Sequence, residues 1–462
     1  VWVFVVLVRA VGRSQLTGRQ LWEWAGGDAA VALALASELG AEAAMAGQLR
    51  DWKWKAPRLS IDWQEIKAGK QVGANVTSQE HLFTVLVAVA VFQLTELLQS
   101  THDLEGYVLQ YLVFFCTLSS SFAYASRFND EDASHKILWS LYQFCLLMML
   151  EGAGSASSAA WSVFKLSTVA MFLLVSIGFF GRIALAVPRA RLFASYFAGV
   201  NFLVGLLFLL TCLGRGQDRP IIWVCVGLCL LSDGLLAGLM RWCTADRRQV
   251  DVPMNIEYIV ARYDGLLIEV LGVAVIVPNA HFPGAYAHSW HVAAGDLLVA
   301  ATAACLKIGL FDVEPISLEQ HAIRRSQLSA ILFMLNNIVT NLAICALGAG
   351  MAMLIPACGR TGNASRSPFA QRILCGALCL FWGSLTFTKL LHKPRLRHLH
   401  MIKVVVQALG ALASLLPLLL PGTTDMAALT AAVGAHAAVV FAQLAVNALG
   451  PPARQAVPEP EN

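Results

Sequence analysis

From residue 81 to residue 450 the chain is a succession of apolar runs separated by short polar connections. Each run is about 20 residues long, enough for a helix to cross a hydrocarbon core of about 30 Å with its backbone N–H and C=O groups bonded internally. Only 13% of the residues are charged, where a soluble domain carries roughly 25%. The class expected is an all-α integral membrane protein, a polytopic bundle of about twelve transmembrane helices.

The expected spans cover residues 81–99, 106–125, 137–153, 161–187, 192–213, 220–240, 256–278, 290–311, 327–355, 373–391, 402–420 and 426–449. Residues 1–80 read as an N-terminal extramembrane or interfacial extension and not as a cleaved signal. Residues 81–450 form the transmembrane domain, and 451–462, PPARQAVPEPEN, a disordered C-terminal tail. The connections leave no room for a soluble catalytic domain. The net charge of +4 is small and dispersed, which argues against nucleic acid as a partner. Most of the 11 cysteines lie inside apolar runs, Cys116, Cys145, Cys225, Cys229, Cys375 and Cys379 among them. A thiol there packs as a small hydrophobe, so neither a disulfide framework nor a metal site is read from them, and no cofactor is expected.

Lys and Arg segregate between alternate connections, as the positive-inside rule demands. One side carries 18, including Lys53, Lys55, Arg127, Arg189, Arg191, Arg247, Arg324, Arg325, Lys393, Arg395 and Arg397; the other carries five, Arg215, Arg219, Arg360, Arg366 and Arg372. One missed or invented helix in the middle would scramble that split, so it points to an even count with both termini cytoplasmic. The sequon Asn363-Ala364-Ser365 then falls outside.

Three stretches carry a family resemblance. SRFNDEDASHKIL, residues 126–138, is similar to a loop of Arg-Phe, an acidic cluster, His and a base, with Arg127, Phe128, Glu131, Asp132, His135 and Lys136 corresponding. EHLFTVLVAVAVFQL, residues 80–94, resembles a first-helix pattern at Glu80, Phe83 and Gln93, with Thr84 where an Asp is usual. EYIVARYDGLLIEVLGVAVIVP, residues 257–278, follows a His-x-x-Glu-Arg-Phe-Gly helix that ends in Leu-Gly-Glu. Arg262, Tyr263, Leu271 and Gly272 fit, while Tyr258, Ala261 and Val273 replace the His and two acids. Together these resemble the low-temperature-requirement A family. The resemblance implies a multi-pass architecture and assigns no chemical activity.

The last of these stretches is also the one with most ionisable groups inside an apolar run. At 100° per residue, Arg262, Gly265, Glu269, Gly272 and Ile276 fall on one stripe, which predicts a glycine-lined face turned into the bundle. Asp264 lies off that stripe, and Glu257 sits at the interface. Asp233 and Asp296 lie well inside other runs, and Asn337 and Asn341 stand one turn apart on one face. Intramembrane ionisable groups mark binding sites and pathways by default, so Arg262, Asp264, Glu269, Asp233, Asp296, Asn337 and Asn341 form the candidate set. The first and seventh spans begin alike, which points to two six-helix halves with a site between them.

The function expected is a carrier or channel for an ion or small polar solute, with the bilayer and that solute as partners and a homo-oligomer compatible with both. The alternative is a non-transporting scaffold whose polar stripe serves helix packing. An enzyme is not expected: no P-loop or Gly-rich strand-to-helix turn is present. His102-Asp103 is an isolated dyad, and the grouped His281, His288 and His291 read as solvated loop residues.

Overall fold

The computed structural model describes residues 58–59, 78–129, 133–153, 158–214, 218–243, 252–280, 290–313, 320–361, 367–392, 397–420 and 423–448. Two compact units make up the chain: Pro57–Asn129 with Leu138–Asn462, and Val1–Ala56 with Asp130–Ile137. In the smaller unit only the first residues of one helix, from Ala133, are described. Most of the expected 1–80 extension, the tail 451–462, the His281–His288 loop and the sequon at Asn363 lie outside the described residues.

The helices are α1 (Ser78–Thr101), α2 (Leu104–Ala125), α3 (Ala133–Gly152), α4 (Ser158–Leu173, running on through the π-helical Leu174–Gly181 and Arg182–Ala186), α5 (Arg191–Leu213) and α6 (Asp218–Cys243). There follow α7 (Ile256–Ala280), α8 (Trp290–Val313), α9 (Gln327–Thr361), α10 (Pro368–Leu391), α11 (Arg397–Ala413) and α12 (Asp425–Ala448). A helix therefore occupies every apolar window. Among the described residues eight of them, α2, α4, α5 and α8 to α12, are long and apolar enough to cross a membrane. That set makes the chain a multi-pass membrane protein, while α1, α3, α6 and α7 fall outside it. The described residues add one short antiparallel bridge, Arg58–Leu59 against Phe128–Asn129.

The helix ends show why the chain turns where it does. His102 takes a left-handed φ of 56°, reversing the chain between α1 and α2. Asp103 then caps α2 by accepting from the Gly106 N–H at 3.0 Å. Its carboxylate also meets Arg219, so the His102-Asp103 pair is a turn and a cap. At the other end, Asn255 caps α7 by accepting from the Tyr258 N–H at 3.0 Å, and its own N–H donates to Ser126 O at 2.9 Å. That ties the start of α7 to the end of α2.

Helix α9 is the most enclosed: 78% of its apolar window is buried, against 28% for α8. Two of its glycines explain the depth. A Cβ on Gly348 would stand 2.8 Å from Ala274 Cα of α7, and one on Gly350 2.9 Å from Leu374 N of α10, so backbone meets backbone on both sides. Large apolar side chains on outer helices point away from the core instead, such as Leu185 at 85% exposed and Phe441 at 70%. Such a surface is stable only where lipid replaces water. Between α4 and α6 a buried ion pair joins Lys165 Nζ to Asp218 Oδ2 at 2.8 Å, and the same ammonium donates to Thr211 O at 2.8 Å.

Candidate intramembrane site

Helix α7 buries Ile259, Arg262, Tyr263, Leu266, Val270 and Ala274. Gly272 and Ile276 are exposed, and a Cβ on Gly265 or Gly272 would meet nothing within 4 Å. The expected stripe thus enters the bundle at Arg262 and leaves it by Gly272. The close approach is made by Ala274 against Gly348, so the glycine lies on the wrong helix for the sequence reading. Arg262 is 3% exposed with its guanidinium carbon 4.9 Å from the Phe122 ring centroid, a cation–π contact that the low dielectric strengthens. Asp264 and Glu269 are half-buried.

Across from α7, Asn337 Nδ2 donates to Phe333 O at 3.1 Å and Asn341 Nδ2 to Asn337 O at 2.9 Å. Each amide thereby bonds back onto its own helix. Asn341 Oδ1 is buried and accepts nothing from the described residues. Asn341 lines a cavity of about 10 Å³ whose exposed lining is wholly apolar and whose other walls are Val87, Ala90, Val91 and Leu94 of α1, Tyr111, Phe114 and Phe115 of α2, and Leu266 and Val270 of α7. That is room for about one water. Counting back seven residues from the Gly348–Ala274 contact puts Asn341 level with Leu267, between Arg262 and Glu269.

Asp296 on α8 is half-buried, and its Oδ1 has no partner among the described residues. Its neighbour Gly295 backs onto Ile355, about 20 Å along α9 from Asn341, so Asp296 does not join that cavity. The side chain of Asp233 lies outside the described residues. Of the seven candidates, Asn337 and Asn341 are buried on α9 and Arg262 is buried on α7 against Phe122 of α2, while Asp264 and Glu269 are half-buried on α7.

Sequence reasoning missed two neighbours on α2. Tyr107 and Gln110 are buried, with no hydrogen-bond partner for Tyr107 Oη or Gln110 Oε1 among the described residues, and the adjacent Tyr111 Oη donates to Ile338 O of α9 at 3.0 Å. Their signal was weak, because uncharged polar residues are common in membrane helices. Gln407, His436 and Gln443, each fully buried, were missed for the same reason. Among the described residues no group of three or more His, Cys, Asp or Glu is placed to hold a metal ion.

Most of the described motif residues serve packing. Phe83 is buried against Trp139 and Tyr142, with ring centroids 6.3 and 5.1 Å away. Arg127 donates to Ala123 O at 3.0 Å and lies over Phe193, while buried Phe128 packs on Tyr124 at 5.3 Å. Tyr263 meets Phe122 edge-on at 5.6 Å. Gln93 is half-buried, and Gly272 is exposed. His135 and Lys136 lie in the smaller unit; the side chains of Glu80, Glu131 and Asp132 lie outside the described residues.

The family model described as bacterial low temperature requirement A protein (LtrA) matches residues 75–446. The chain belongs to the LtrA family. No curated protein and no solved structure matches it. The match spans α1 through most of α12, so the cavity beside Asn341 lies within the LtrA region.

At the Lys/Arg-rich end of this LtrA chain two histidines couple α9 to α10. His321 Nδ1 accepts from the Ile323 N–H at 3.3 Å and His392 Nδ1 from the Ala322 N–H at 3.0 Å, with the rings 4.8 Å apart. Burial and then Arg324 push His321 down to about 4; burial, then His321, His400 and Lys389, push His392 down to about 3. Both rings are neutral in the folded state, whereas the unfolded chain takes up protons below about 6.5. Their contribution is therefore complete above pH 6.5 and is lost as pH falls toward 4, with about 3 kcal/mol at stake for His321 alone. The thermal midpoint is expected to drop steadily from pH 7 to pH 4.5, and His392→Gln should flatten that slope. An equally steep slope in the variant would remove the histidines as its cause.

Proposed function

We propose that the protein is a carrier or channel in which all twelve helices span the bilayer, both termini are cytoplasmic, and an ion or small polar solute passes along the α7–α9 contact. The observation that carries this reading is the buried Asn341 Oδ1, which accepts nothing from the described residues and belongs to a side chain at the wall of a small cavity level with the stretch between Arg262 and Glu269. An amide oxygen buried without a protein partner in lipid-enclosed surroundings is an acceptor held ready for a ligand. Arg262 sets a fixed positive charge at one end of the path, and Glu269 a carboxyl group that can carry a negative charge at the other. The cavity holds about one water, so passage requires α1 or α2 to move aside, as in alternating access.

The scaffold reading draws support from Arg262, whose guanidinium packs on Phe122, and from the Asn337 amide, which bonds to its own helix. Vesicles containing the parent protein, Glu269→Gln and Asn341→Leu separate the two. The first reading expects proton or cation flux in the parent that falls roughly tenfold or more in both variants, with unchanged thermal midpoints. Absence of flux in the parent under proton, sodium and potassium gradients would leave the scaffold reading standing.

A further inference from the structure

Four helices that do not line the Asn341 cavity, α8, α10, α11 and α12, enclose a further set of polar groups. Gln407, His436, Gln443 and Trp382 are all 0% exposed. Both amide atoms of Gln407 and of Gln443, and Trp382 Nε1, have no hydrogen-bond partner among the described residues. Neither nitrogen of His436 is at hydrogen-bond geometry either, although the Thr302 backbone lies within reach. The His436 ring is clasped by Trp382 and Phe381, with centroids 5.0 and 6.0 Å away.

Helix crossing relates these groups. A Cβ on Gly410 would stand 2.3 Å from Val439 Cγ2, so α11 and α12 touch there. Because the two helices run antiparallel, Gln407 and Gln443 fall at one level, a turn to one side of the crossing, and His436 a turn to the other. His436, Thr302 and Trp382 all lie near the middles of their helices. Orphaned amides and ring nitrogens at that depth are among the most unfavourable groups a membrane protein can bury.

The atoms without a partner are neutral and of both kinds: N–H donors from two glutamines and a tryptophan, and acceptors from two amide oxygens, with the His436 ring beside the Thr302 backbone. A cation would leave the donors unserved, and an anion the acceptors. We propose that this quarter of the bundle is a binding chamber for small uncharged molecules that both donate and accept hydrogen bonds, with His436 and the Gln407–Gln443 pair as its polar walls. Water and small amides share that chemistry.

The test uses the full chain in lipid nanodiscs, with acetamide as the probe, alongside Gln407→Leu/Gln443→Leu and the milder Trp382→Phe. Ordered density bonded to Gln407, Gln443 or His436, with no response to acetamide, assigns the chamber to water. A saturable rise of the thermal midpoint with acetamide, lost in the double variant and weakened roughly tenfold in Trp382→Phe, assigns it to a small solute. Direct bonding of Gln407 to Gln443 with no intervening density, together with a double variant that melts above the parent, overturns the proposal. If the double variant does not fold, Trp382→Phe carries the test, and an unchanged acetamide response in it overturns the solute assignment.

Discussion

Gly350→Leu is expected to cripple the protein, reducing the folded, monodisperse fraction severalfold and lowering the thermal midpoint by more than any surface change. A Cβ at that position meets Leu374 N at 2.9 Å and Leu374 Cα at 3.0 Å, so relief must come from moving helix α10 as a body. Overpacking a core against side chains costs about 1–3 kcal/mol; here the obstacle is backbone, and about 3 kcal/mol or more is expected. Helix propensity works the other way, favouring Leu over Gly by roughly 0.8 kcal/mol. Gly383 on α10 supplies the control, because nothing lies within 4 Å of its Cβ position. Gly383→Leu should be neutral or slightly stabilising. Equal losses in the two variants, measured by thermal scanning in detergent, would show that close packing at Gly350 is not what holds α9 against α10.

Lys165→Met should be the next most damaging. It strips the partner from Asp218, whose side chain is only 17% exposed, and removes the donor to Thr211 O. Breaking a buried pair from one side costs about 3–5 kcal/mol. Asp218 keeps some solvent and stands in the first turn of α6, where the helix dipole favours an anion, so about 2–3 kcal/mol is expected. Lys165→Met with Asp218→Asn should recover at least half of the loss. A double-mutant cycle with a coupling energy near zero would mean that the 2.8 Å contact contributes nothing.

The positions of the helices were legible because lipid enforces a simple rule: an apolar run long enough to cross must satisfy its own backbone. That is why every apolar window holds a helix. Which face of each helix turns inward was less legible. On α7 the stripe through Gly265 and Gly272 looked like a packing face, yet Gly272 and Ile276 are exposed and the apolar set Leu266, Val270 and Ala274 is buried. In a membrane both faces of a helix are apolar, so the amphipathic signal that orients soluble helices is weak.

The sequence by itself determined the multi-pass helical class, the helix positions, the LtrA membership and the presence of polar groups in the apolar runs, because hydropathy and motif spacing are local properties. Only the tertiary structure decided which of those groups meet. It set Arg262 over Phe122, put Asn341 at the wall of a cavity among four helices, placed Asp296 on α8 about 20 Å from the level of Asn341, and buried His436, Gln407 and Gln443. Such juxtapositions depend on where Gly348 and Gly350 let backbones touch and where Gly410 admits the Val439 side chain. Contacts between residues far apart in the chain leave no periodicity in either segment.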